Sequence, residues 1–136
     1  MNEKHNEATH NRPEGDRVLD APIVTIDLNA FMQQIKEEDA WFKNDRNAIT
    51  VNKTTDLTIV LVALHTNAEI KPPLASEDIT VIQVLDGSIQ FIADLQSVEL
   101  NKGQMLTFHE NILYTVIAIK ETILLFTVIN NKSTLT

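Results

Sequence analysis

Apolar and polar positions alternate in short runs over most of this chain, and the runs are separated by turn residues. The densest part is Ile79 to Asn130, where one β-prone run follows another. The pattern predicts strands over Ala48–Asn52, Leu57–His65, Ile79–Leu85, Ser88–Ala93, Ser97–Leu100, Gln104–Phe108, Leu113–Ile119 and Thr122–Asn130. Asp86-Gly87 is expected to form a hairpin turn. Asn101-Lys102-Gly103 and Lys120-Glu121 are expected as further turns, and Lys71-Pro72-Pro73 as a break in the ladder. Short strands with regular turns indicate a sandwich or barrel, so the fold class is all-β.

Two strands are apolar on both faces. Leu57, Ile59, Leu61, Ala63 and His65 share one side of theirs; Val60, Val62 and Leu64 share the other with Thr58. Thr122–Asn130 behaves alike. A strand open to water on one side should be polar there, so these outer faces are expected to be covered. One candidate cover is a helix over LNAFMQQIKEEDAWF, capped by Asp27 or Asn29. Its Leu28, Phe31, Met32 and Ile35 form an apolar stripe, and Trp41 and Phe42 are its expected anchors. The other is a second copy, and a homodimer through sheet faces or edges is expected. Ala21–Ile26 is β-prone and is expected to pair along a sheet edge.

Composition narrows the chemistry. The 136 residues suit one domain, read as a polar arm over 1–20, a strand and helix extension over 21–47, and a barrel over 48–136. His5 and His10 fall in the arm, where nothing rigid would hold a coordination geometry. There is no cysteine, so disulfides and thiol chemistry are excluded. The net charge of −8 argues against nucleic acid as a partner. No apolar run reaches the roughly 18 residues of a membrane span, and the expected location is cytoplasmic.

In the strand rhythm, in ITVIQVLDG followed by SIQF, and in NKGQMLTF, the chain resembles a small single-domain cupin. Gly87 and Gly103 match that family's two turn positions. The resemblance implies a jelly-roll barrel, or double-stranded β-helix, behind one short N-terminal α-helix. It also implies where metal ligands would stand. The first-motif histidines fall at Leu74 and Ser76 and the glutamate at Thr80. The second-motif proline falls at His109, the glycine at Asn111 and the histidine at Tyr114. None of the four ligand positions keeps a strong donor, so no metal and no cofactor is expected.

The expected interior is then mainly apolar. Thr80 and Tyr114 point inward with Ile82, Val84, Val116 and Ala118, by period-two alternation. Leu74, Thr80, Ile82 and Tyr114 are the candidate pocket residues, with His65, Glu69 and His109 at the mouth. No residue is assigned a catalytic role. The reading is a metal-free homodimer that binds a small organic molecule or serves as an interaction module. The alternative is an isomerase- or oxygenase-type enzyme acting on a small substrate through a non-standard His/Glu/Tyr site.

Overall fold

The structure is a computed structural model and describes residues 22–72, 78–108 and 112–130. Two helices, α1 (Leu28–Ile35) and α2 (Asp39–Lys43), precede the strands. These are β1 (Arg46–Lys53), β2 (Leu57–Leu64), β3 (Glu69–Ile70), β4 (Ile79–Asp86), β5 (Ser88–Ala93), β6 (Gln96–Asn101), β7 (Met105–Phe108), β8 (Tyr114–Ala118) and β9 (Thr122–Ile129). Eight of them fall on the expected runs. The two-residue β3 was not expected; it pairs with β8 just before the Lys71-Pro72 break. The polar arm, with His5 and His10, lies outside the described residues.

The strands form two antiparallel sheets, ordered β1-β2-β9-β4-β7 and β3-β8-β5-β6. The chain crosses between them repeatedly, giving the expected jelly-roll sandwich. Thr54–Asp56 and Asp94-Leu95 close true hairpins, β1–β2 and β5–β6. The Asp86-Gly87 hairpin is corrected: β4 and β5 belong to different sheets, and Gly87 is the corner between them. The corner needs glycine. Its φ is +92°, and a Cβ there would stand 2.4 Å from Thr122 Oγ1 and 2.5 Å from the Glu121 carbonyl oxygen.

Two apolar clusters hold the fold. The inner one lies between the sheets and includes Leu64, Ile82, Val84, Ile89, Val116 and Leu124. The outer one covers the far face of the five-stranded sheet, where Ile49, Leu61, Ala63, Ile123 and Leu125 meet Ile35 and Trp41. The apolar outer faces of β2 and β9 are thus covered in cis by α1 and α2. Asp27 caps α1 as expected, accepting from the Ala30 N–H at 3.2 Å.

The single expected helix is divided. Asn47 Nδ2 donates to the Ile35 carbonyl at 2.9 Å and to Glu38 Oε1 at 3.0 Å. It caps the last carbonyl of α1, so the chain turns before starting α2. The turn sends Trp41 inward, 5% exposed, and leaves Phe42 73% exposed. Only one of the two expected anchors anchors. Pro22 to Ile26 forms no strand, and Ile26 rests on the outer cluster.

Candidate functional site

Alternation along β4, β5, β7 and β8 decides what faces the space between the sheets. Thr80, Ile82 and Val84 point in from β4, Phe91 from β5, Leu106 and Phe108 from β7, and Tyr114 and Val116 from β8. At one end this space is solid: Leu64, Val84, Ile89, Ala118 and Leu124 have essentially no exposure. At the other end the filling is aromatic, with Phe91 buried and Phe108 and Tyr114 half-buried. The Phe91 and Phe108 ring centroids are 5.5 Å apart. Tyr114 stacks on Phe91 at 5.4 Å and meets Phe108 edge-on at 5.1 Å. Burial raises the Tyr114 phenol above its ordinary pKa, so the ring is held neutral.

A groove of about 700 Å³ opens beside this aromatic group. Its walls are Phe91, Ala93 and Val98 on one side and Leu106, Phe108 and Ile112 on the other, with Asp94, Leu95, Gln96 and Thr107 at the rim. The groove follows from topology. β6 is the last strand of one sheet and β7 the last strand of the other. They are joined at the Asn101–Gln104 turn, and among the described residues no strand closes the seam between them.

The predicted site residues divide. Thr80, Ile82 and Tyr114 do share the interior, but Ile82 is fully buried core, and Tyr114 stands behind Phe91 and Phe108 rather than in the groove wall. His65 is not at the mouth. It belongs to the outer face, stacked on Trp41, with Nε2 2.7 Å from the Trp41 carbonyl oxygen. Glu69 is not at the mouth either. Ile70 turns inward from β3, so Glu69 faces out, 3.6 Å from Lys71 Nζ. Leu74 and His109 lie outside the described residues. His65, Glu69 and Tyr114 therefore occupy three separate surfaces, and the non-standard His/Glu/Tyr site is not assembled from them. The wall residues Phe91, Val98, Leu106, Phe108 and Ile112 were not foreseen as a site, because alternation marks them only as inward-facing.

The residues at the two described ligand positions do not fit a metal. Thr80 offers a neutral hydroxyl in an apolar setting. Tyr114 would bind a metal as phenolate, and its raised pKa opposes that form. Among the described residues, no three His, Asp or Glu side chains gather closely enough to hold an ion. No helix among the described residues is long and apolar enough to cross a membrane.

No protein-family model and no curated protein matches the chain. Solved structures do. A cupin superfamily protein from Desulfitobacterium hafniense superimposes with a TM-score of 0.61 at 12% identity, over 65% of this chain and 80% of that one. A cupin-2 domain protein from Shewanella frigidimarina gives 0.59 at 16% identity, over 75% and 91%. KdgF from a Halomonas species gives 0.59 at 14%, over 68% and 86%. At such identities the likeness is one of architecture, and the chain has the fold of a small cupin.

Proposed function

We propose that the protein is a metal-free, homodimeric cupin-like binding module that holds a small organic molecule in the groove between β6 and β7. The observation that carries this reading is the groove itself. It is of ligand size, apolar in its walls and lined by aromatic rings at its inner end. A filled core needs no such opening, and at the opposite end Leu64, Val84, Ile89, Ala118 and Leu124 are fully packed.

The dimer rests on a second surface. The helices cover only part of the outer face of the five-stranded sheet. Beyond them Ile79, Met105 and Ile129 lie on that face and are exposed. A second copy placed there would bury them by a symmetric contact.

Methyl-labelled protein titrated with indole tests the pocket by NMR. Val98, Leu106 and Ile112 methyl signals should shift while Ile123 and Leu61, under the helices, stay still. Unmoved groove signals at millimolar indole would refute the reading. Light scattering tests assembly: the wild type should have twice the subunit mass, and Met105→Glu should halve it.

A further inference from the structure

We propose that the groove selects an organic cation: a flat, apolar body carrying an ammonium group, held over Phe91 and Phe108 with its charge towards Asp94. This deepens the binding reading above and rests on it.

Three independent features have the same sign. The first is the rings. Phe91 and Phe108 are inclined at 44° and border the groove. Aromatic faces are electron-rich and attract ammonium groups, whereas they repel carboxylates. The second is the rim. Asp94 is the one charged side chain among the described lining residues, and no Lys, Arg or His accompanies it. Lys102 belongs to the turn at the far end of β6. The third is the field of the whole chain, whose net charge of −8 draws cations and disfavours anions.

Asp94 is also held in place. It starts the β5–β6 hairpin with φ +52°, a conformation that Asp and Asn tolerate better than other side-chain-bearing residues. Asp94 lines the rim of the groove from this turn, and the walls of Val98, Leu106 and Ile112 accept the ligand's apolar body.

Three probes share one phenyl ring and differ in charge: 2-phenylethylammonium, 2-phenylethanol and phenylacetate. Titrated into the wild-type protein at neutral pH, the ammonium compound should bind about five- to tenfold more tightly than the alcohol, with phenylacetate weakest. Asp94→Asn keeps the turn and removes the charge. It should remove most of the ammonium compound's advantage and leave the alcohol unchanged. Glu99→Gln removes the same charge from an exposed position on β6 outside the groove lining and should preserve the preference. Equal binding of ammonium compound and alcohol, or a preference undiminished by Asp94→Asn, would overturn the assignment of a cation facing Asp94 and leave the groove reading standing. If none of the three binds, the groove reading falls and the cation assignment with it.

Discussion

His65 lies flat on Trp41, with ring centroids 3.5 Å apart and planes inclined by 14°. A carbonyl can only accept, so the contact at 2.7 Å makes His65 Nε2 the donor to the Trp41 backbone oxygen. The pair joins the end of β2 to α2, and so fastens the helices to the sheet they cover.

His65→Ala removes both the stack and the hydrogen bond. It should cost about 1–3 kcal/mol of stability, read by urea unfolding. Trp41→Ala should cost about 3–5 kcal/mol, while Phe42→Ala should stay within about 0.5 kcal/mol. The contrast checks which aromatic bears on the outer cluster.

Gly87 and Gly103 both have positive φ, but their surroundings differ. A Cβ at Gly87 collides with Thr122 and Glu121; one at Gly103 meets nothing within 4 Å. Gly103→Ala should cost about 1 kcal/mol, from backbone conformation alone. Gly87→Ala should cost at least about 3 kcal/mol, since the steric term adds to the conformational one. Equal losses in denaturant would refute the corner assignment.

Thr122 is fully buried beside that corner. Its Oγ1 accepts from the Ser88 N–H at 3.1 Å and lies 3.0 Å from the Ser88 carbonyl and 2.7 Å from that of Lys120. Thr122→Val keeps the shape and strands the Ser88 N–H. A loss of about 1–3 kcal/mol is expected, and Thr122→Ser should recover most of the hydrogen-bond part.

Tyr114 is the only tyrosine, so alkaline absorbance titration reads it alone. Its midpoint should lie above the ordinary value of about 10. Because the folded pKa is raised, Tyr114's contribution is fully present below the unfolded pKa. It is lost as pH rises through the folded one. Tyr114→Phe should lack that component of alkaline destabilisation.

Strand positions were legible in the chain because short β-prone runs are separated by turn residues, even where, as in β2 and β9, both faces are apolar. Sheet membership was not. Asp86-Gly87 signals a reversal of direction, and nothing local tells whether the next strand pairs with the last or crosses to the opposite sheet. The face of His65 was legible too: it points with Leu61 and Ala63. Which face is the barrel interior was not, since β2 is apolar on both sides. The helix break depends on Asn47, twelve residues beyond the carbonyl it caps. The groove depends on β6 and β7 both being edge strands, a property of the finished topology.

The position of β9 bears on how the molecule comes into being. It is the last strand along the described chain, yet it lies in the middle of its sheet, paired with β2 on one side and β4 on the other. A chain emerging from the ribosome makes β1–β2 as a hairpin early. The five-stranded layer has no centre until Thr122–Ile129 arrives. Its pairings span much of the sequence, so closing them should be slow, and the unclosed chain would expose two sticky strand edges. The danger for this protein therefore lies in the interval before Thr122–Ile129 is made, when the other eight described strands are already present.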